Sequence, residues 1–300
     1  MAAQAPAKVG FLGLGVMGKA MAGCLAESGL QVMAWNRTAA VAQELAAAHP
    51  GRVTAAAEAA EVTAACAVTF AMLSGPAAAR AVAAAAAPGL RAGGSYIDCS
   101  TVDEGCSADC AALVEPRGAA FLASPVSGGW REAAKGKLLF ICGGAQAAYD
   151  AGRPAIDAMA ARSWLVGDTV AHAARAKLSL QVSMGTLVAS LAEMLAFGDA
   201  AGVDKEMLTE MLALSALGSP MTKAKGKLIV GKTYGEQKNF QTYLQQKDLR
   251  LAMELGNELD IQMPITAAAN AMYVRAKQLG HAHSDFSAVA EAYCPPKKPE

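Results

Sequence analysis

The residues with the clearest capacity for chemistry come early. Gly13-Leu14-Gly15-Val16-Met17-Gly18 follows an apolar run and opens a helical pattern. In this GxGxxG spacing the first glycine makes a tight turn, the second lets the backbone approach a pyrophosphate, and the third lets helix and strand pack closely. Unsatisfied N–H groups and the dipole at the helix start then favour an anion, so the predicted ligand is a dinucleotide. The next strand ends in Trp35-Asn36-Arg37-Thr38, about 20 residues on, where an NAD enzyme usually presents Asp or Glu to the ribose hydroxyls. No carboxylate stands there. Asn36 can hydrogen-bond, Arg37 can pair with or stack over a 2′-phosphate, and Thr38 adds a hydroxyl, so NADP(H) is the expected cofactor.

These groups need elements to hold them. Val9 to Gly13 reads as a short buried strand, Met17 to Ser28 as a helix ended by Gly29, and Leu30 to Trp35 as a second strand, completing a βαβ unit. Further strand candidates run from Ala67 to Leu73, Ser95 to Cys99, Ala119 to Ala123 and Lys137 to Cys142, with alanine-rich helical segments between most of them. Such alternation predicts a mostly parallel sheet covered by helices. Past Gly167 the strand-like runs vanish, and helical patterns such as Ala173 to Ala201 and Gln245 to Glu258 take over. The expected fold is α/β: an N-terminal Rossmann domain over residues 1–170, with a doubly wound, mostly parallel sheet, then an all-α domain over residues 171–300.

Composition narrows the partners. Lys plus Arg, 26, equals Asp plus Glu, 26, so no broad field draws in nucleic acid or an anionic membrane, and a small-molecule ligand is expected. Hydrophobic content of 54% comes largely from alanine, and no stretch is expected to supply the roughly 20 strongly apolar residues that cross a bilayer. The cysteines, Cys24, Cys66, Cys99, Cys106, Cys110, Cys142 and Cys294, form an odd set without CxxC spacing. Neither a disulfide framework nor a metal site is predicted. Met1 to Lys8 is too short for a signal or transit peptide, and the C-terminus lacks a peroxisomal address, so a cytoplasmic location is expected, or an organellar one if a leader has been removed. His172 is expected to be a loop histidine without a chemical task.

Further motifs stand in an order and spacing that resemble the β-hydroxyacid dehydrogenase family over nearly all of the chain. They are Asp98-Cys-Ser100-Thr101-Val-Asp103, Ser124-Pro-Val-Ser127-Gly128-Gly129 followed by Ala134-Lys-Gly-Lys-Leu138, and Lys177 within Ala176-Lys177-Leu178. Phe240 with Lys247-Asp248-Leu-Arg-Leu-Ala252, and Asp285-Phe-Ser-Ala-Val289, complete the set. Within the family, Trp35 to Thr38, Ser219-Pro-Met221 and Gln245 to Asp248 are most similar to the plant-type glyoxylate/succinic semialdehyde reductases.

The resemblance implies an NADPH-dependent reductase that delivers hydride to the aldehyde of a small carboxylic acid. Lys177 would be catalytic, its ammonium donating a hydrogen bond to a carbonyl oxygen that gains charge and then surrendering a proton. Ser100 and Thr101 would line the nicotinamide and substrate junction, since hydroxyls at a strand's C-terminal end face the crevice of an open α/β sheet. Ser127, Gly128 and Gly129 would meet the substrate, their backbone N–H groups able to hold a carboxylate. Gln181 would also touch substrate, and Leu73, Ser74, Phe240, Lys247 and Asp248 would touch cofactor. A homo-oligomer, dimer or tetramer, built through the helical domain is implied too. The alternatives are an NAD-dependent oxidation of a 3-hydroxy acid and a non-catalytic dehydrogenase-like binding module, which Lys177 argues against.

The chain departs from the family pattern in two places. The family's G-x-x-G-x-G-x-x-x-K becomes Gly167-Asp-Thr-Val-Ala-His172-Ala-Ala-Arg175-Ala-Lys177, with one glycine and one more residue. The usual Asn four residues after the lysine is Gln181, which keeps the amide on a longer stem. Rate and substrate choice are the properties these changes should touch.

Overall fold

Val9, Gly10, Phe11 and Leu12 are all buried, as an interior parallel strand with helices on both faces requires. In the computed structural model, which describes residues 8–235 and 240–293, this run is β1 (Lys8–Leu12). It is followed by α1 (Val16–Glu27), β2 (Gln31–Trp35), α2 (Ala39–Ala48), β3 (Val53–Ala55), α3 (Ala59–Ala65), β4 (Val68–Ala71), α4 (Pro76–Ala86), β5 (Ser95–Asp98) and α5 (Glu104–Val114). Then come β6 (Ala120–Ala123), β7 (Val126–Ser127), α6 (Trp130–Ala134), β8 (Leu138–Gly144), α7 (Gln146–Met159) and β9 (Ala160–Gly167). The helices α8 (Val170–Ala200), α9 (Lys205–Leu214), α10 (Pro220–Gly231), α11 (Thr242–Glu258) and α12 (Pro264–Ala276) follow.

The strands form one sheet in the order β3-β2-β1-β4-β5-β6-β8-β7, with β9 added beside β8. The first six are parallel, β8 runs antiparallel to β6 and β7, and β9 is parallel to β8. This is the expected α/β doubly wound Rossmann sheet followed by a helical region. Strand order reverses between β1 and β4, and ligands of such sheets bind beyond the C-terminal ends of the strands at that point. The segments leaving β1 and β4 there are Gly13 to Gly18 and Met72 to Ser74.

Each face of the sheet carries its own core. On one, Phe11 and Phe70 stack at 6.3 Å and pack with Met21 and Leu25 of α1 and Ile156 of α7. On the other, Tyr96 and Phe121 meet Val62 of α3, Ala79 and Ala83 of α4, and Cys106 and Cys110 of α5. Alanine at every helical turn of α4 thus supplies a small-residue contact face rather than a merely solvated one.

The chain divides into two compact units between Lys177 and Leu178, inside α8. The first turns of α8 go with the sheet because Val170 and Ala173 pack into its second core. The second unit is helical, with a core of Val188, Leu191, Leu195, Leu228, Leu249, Tyr273 and Phe286. One composition-based expectation needs correcting: α8 is long and apolar enough, by length and composition, to cross a membrane, with a mean hydropathy of 1.4 in its best window. Alanine, leucine, valine and methionine set that value, and the helix uses them to build the second core; its buried face also carries Lys177 and Gln181.

Six cysteines fall among the described residues, all buried and free; Cys294 lies outside them. Burial pushes the Cys99 thiol well above its ordinary 9.0 and Cys142 up to about 11. The native thiol therefore stays neutral where the unfolded chain has begun to ionise, so its stabilising contribution is full below pH 9.0 and is lost as pH rises through about 11. We expect native protein at about pH 8 to react slowly with a thiol reagent and the urea-unfolded chain rapidly. Unfolding midpoints should also fall between pH 9.0 and about 11. Rapid labelling of the native chain would contradict this picture.

Candidate active site

The loop after β1 has the shape a dinucleotide needs. Gly13 sits at φ 88°, and a Cβ there would lie 2.6 Å from the Met72 carbonyl oxygen. A Cβ on Gly18 would collide with the carbonyl oxygen of Gly13, so the start of α1 can lie this close only on glycine. At Gly15 the opposite holds: a Cβ would meet nothing within 4 Å, leaving open space above the backbone. Gly15 is the N-cap of α1 and offers no capping side chain, and no acidic residue occupies the first turn. These features fit a bound pyrophosphate at the helix N-terminus.

The loop is tied to the end of β2. Gly13 N donates to the Trp35 carbonyl at 2.9 Å, and Leu14 N donates to Asn36 Oδ1 at 3.0 Å. Asn36 Nδ2 in turn donates to the Thr38 carbonyl at 3.1 Å. The Asn36 amide is therefore engaged in holding the two cofactor segments together. Arg37 and Thr38 are exposed beside it, and the Thr38 hydroxyl makes no capping bond to α2.

Beyond the C-terminal ends of β4 and β5, Leu73 N donates to Ser100 Oγ at 2.9 Å, and Ser100 N donates to Asp98 Oδ1 at 3.0 Å. Ser100 is only 2% exposed. Its hydroxyl thus braces the Leu73-Ser74 segment, and Thr101 beside it is half-buried. Asp103 caps α5, accepting from Cys106 N at 2.7 Å. In the glycine loop, Ser127 is half-buried, Gly128 has φ 130°, and Gly129 N already donates to Glu132 Oε2 at 2.9 Å. Gly129 N therefore supports the start of α6.

The segment before Lys177 is not a loop. The helix begins at Val170, and His172 lies in its first turn, with Nδ1 2.9 Å from Thr169 Oγ1 and 3.9 Å from Asp168 Oδ1. Its ring therefore serves at the helix start. Ala173 approaches β8 so closely that a Cβ on Gly143 would lie 2.8 Å from Ala173 N. Ala173, Ala174, Lys177, Leu178 and Gln181 form the buried stripe of α8, and Lys177 is 5% exposed.

The second unit holds its own polar cluster. Gln181 Nε2 donates to Asp248 Oδ2 in a short bond, and Gln245 Nε2 donates to the Gln181 carbonyl at 3.1 Å. Asp248 is 1% exposed; its Oδ1 is 3.0 Å from Lys247 Nζ, an ion pair lacking hydrogen-bond alignment. Phe240 meets Phe286 edge-to-face at 5.7 Å.

Residues 8–170 match the family model described as the NAD binding domain of 6-phosphogluconate dehydrogenase. Residues 171–293 match the NAD-binding model of NADP-dependent 3-hydroxyisobutyrate dehydrogenase. The chain is 38% identical to glyoxylate/succinic semialdehyde reductase 1 of Arabidopsis thaliana, covering 95% of this chain and 98% of that one. This chain belongs to the β-hydroxyacid dehydrogenase family. It is an NADP-dependent oxidoreductase, and the cradle from Gly13 to Gly18 suits that cofactor. A β-hydroxyacid dehydrogenase of known structure, 3-hydroxyisobutyrate dehydrogenase from Salmonella typhimurium, superposes with a TM-score of 0.87 at 25% identity, covering 95% of this chain and 99% of its own. The family's sequences also extend to a differently named protein, cytokine-like nuclear factor N-PAC of Xenopus tropicalis, 36% identical over 95% of this chain but only 53% of its own length.

For a β-hydroxyacid dehydrogenase, the Gln181–Asp248 bond is informative. A carboxylate only accepts, so the bond fixes which end of the Gln181 amide faces Asp248. Asp248 thus orients the Gln181 side chain, in addition to the cofactor contact its motif implies. Sequence reasoning also missed Lys225, whose Nζ reaches Asp285 Oδ1 and Oδ2 at 2.9 and 2.7 Å with both residues buried. Asp285 was visible only as a motif letter, and nothing local marked Lys225 as its partner 60 residues away.

Proposed function

We propose that this enzyme reduces the aldehyde of a small carboxylic acid, such as glyoxylate or succinic semialdehyde, to the hydroxy acid with NADPH. The observation that carries the reading is Lys177, a lysine only 5% exposed on the buried stripe of α8, in a chain 38% identical over 95% of its length to a reductase of that name. When bound, NADPH supplies the hydride. Lys177 donates a hydrogen bond to the substrate's carbonyl oxygen, stabilises the charge that gathers there and gives up the proton. Ser127 and the Gly128 backbone hold the substrate carboxylate, Thr101 borders the reacting carbon, and Gln181 helps orient the substrate. Arg37 and Thr38 select the 2′-phosphate; Leu73, Ser74, Phe240 and Lys247 complete the cofactor contacts.

The test is a steady-state comparison of glyoxylate, succinic semialdehyde and 3-hydroxyisobutyrate, each with NADP and NAD forms of the cofactor. We expect the aldehyde acids with NADPH to give the highest kcat/KM, and Arg37→Ala to reduce the preference for NADPH over NADH by about tenfold, the loss of one charge-assisted pair. A preference for NAD with the hydroxy acid would favour the oxidative alternative. Absence of turnover with every acid would favour a binding module.

We also infer that a second copy covers α9. Met207, Met211 and Leu214 recur at helical spacing and are 51, 57 and 82% exposed, with Leu217 at 74% beyond them. An apolar stripe of this kind on the helical unit is unusual for a solvated surface. Light scattering should report a dimer or tetramer, and Met211→Glu combined with Leu214→Glu should lower the mass toward the monomer; a monomeric wild type would contradict it.

A further inference from the structure

We propose that Arg175 and Glu104 are positioning residues for Lys177: their forked ion pair sets the rotation of the first two turns of α8 on the sheet unit. The inference rests on the reading of Lys177 as the proton donor. Arg175 Nε and Nη2 donate to Glu104 Oε2 and Oε1 at 2.5 and 3.1 Å, a two-point fork. Glu104 is the first residue of α5, directly after its cap Asp103 and close in sequence to Ser100 and Thr101. Arg175 stands two residues before Lys177. The pair therefore joins the helix bearing the amine to the segment bearing the crevice hydroxyls.

The need for such a device comes from how α8 begins. Between Gly167 and Lys177 the chain has no glycine, and a continuous helix runs from Val170. Close approach of small groups fixes how near the helix lies to β8: a Cβ on Gly143 would lie 2.7 Å from the Thr169 carbonyl oxygen and 2.8 Å from Ala173 N, and Val170 and Ala173 pack into the core beside it. Backbone and short apolar side chains in van der Waals contact set distance but resist rotation less than a directional two-point bond does. Each residue of helix turns the side-chain direction by about 100°, so a modest rotation swings a long lysine side chain away from its target. A planar guanidinium held at two points resists that rotation, which a single charge contact does not.

Magnitudes separate this role from ordinary stabilisation. Arg175 and Glu104 side chains are 46% and 28% exposed, and exposed pairs contribute about 0–1 kcal/mol to folding. Misplacing a catalytic group by about 1 Å, by contrast, costs about 10²-fold in rate. Loss of the fork should therefore register in turnover far more than in stability.

The experiment is a double-mutant cycle of Arg175→Ala and Glu104→Gln, with Arg175→Lys and Lys177→Ala in parallel, using NADPH and the best aldehyde acid. We expect each of the two single variants to lower kcat about 10- to 100-fold, with NADPH Kd unchanged and a small loss in Tm. The double variant should be no slower than either single, because both remove one interaction. Arg175→Lys, with charge but no fork, should fall between, and the solvent isotope effect on kcat should rise in the Arg175 variants as proton delivery becomes limiting. Full turnover in the singles, multiplicative losses in the double, or losses that follow Tm alone would overturn the proposal. If Lys177→Ala is inactive while the Arg175 variants are normal, only this inference fails; if Lys177→Ala keeps wild-type turnover, the reading of Lys177 fails beneath it.

Discussion

Replacing Lys177 with alanine should lower kcat by about 10²- to 10⁴-fold, the usual range for a positioned general acid, while NADPH binds nearly as tightly as to the wild type. The asymmetry follows from where the groups stand. The pyrophosphate and 2′-phosphate contacts are assigned to the glycine loop and the end of β2, which are tied to each other. Lys177 sits on the buried stripe of α8, and an interaction made with the developing oxyanion lowers kcat when it is lost. Stopped-flow titration of NADPH together with steady-state rates separates the two quantities. Retention of turnover within about threefold would remove the lysine from the mechanism.

Two neighbouring glycines should respond in opposite ways to the same substitution. Gly18→Ala puts a methyl group into the Gly13 carbonyl oxygen, so helix and strand must separate; we expect Tm to fall by about 5 °C or more and NADPH binding to fail with it. Gly15→Ala places its methyl in open space, on a backbone at φ −64° that alanine adopts readily. Its stability should be unchanged or slightly raised. The same methyl points where the pyrophosphate is proposed to lie, so NADPH affinity should weaken about 10- to 100-fold in a fully folded protein. Thermal melts and cofactor titrations on both variants check the contrast. Wild-type affinity in Gly15→Ala would show that the phosphates bind elsewhere.

The parts of this molecule legible in its sequence are those where one local pattern has one structural solution. Val9 to Leu12 is buried on both faces and followed by glycines that admit close backbone approach, so strand, turn and helix are written in adjacent letters. β3 and β7, of three and two residues, are too short to leave a pattern. β9, Ala160–Gly167, alternates half-buried with exposed positions and carries Arg162 and Ser163, so it lacks the apolar run that marked the other strands. The start of α8 was hidden for another reason. The family's glycines suggest a loop before the lysine, yet here alanine and histidine continue a helix back to Val170, with Gly143 supplying the small residue from across the contact.

The site divides in the same way. Its residue types could be named because the motifs preserve their spacing, but their partners could not. Asp248 holds Gln181 across 67 residues of chain, and Arg175 holds Glu104 across 71. Gly129, expected from its motif to meet substrate, also donates its N–H to Glu132. Ser100, expected from its motif to line the crevice, is buried and accepts a hydrogen bond from Leu73 N. Hydrogen-bond partnership is a property of the folded chain, and the motif letters do not contain it.

Isotope transfer tests hydride delivery to an aldehyde carbon on this protein most directly. The purified enzyme would be mixed with NADPH deuterated at the transferring position of the nicotinamide and with glyoxylate or succinic semialdehyde, and the product examined by mass spectrometry and NMR. We expect the corresponding hydroxy acid with a single deuterium on the former carbonyl carbon, formed by the wild type and nearly absent with Lys177→Ala. Unlabelled product, or no product from either aldehyde acid, would contradict it.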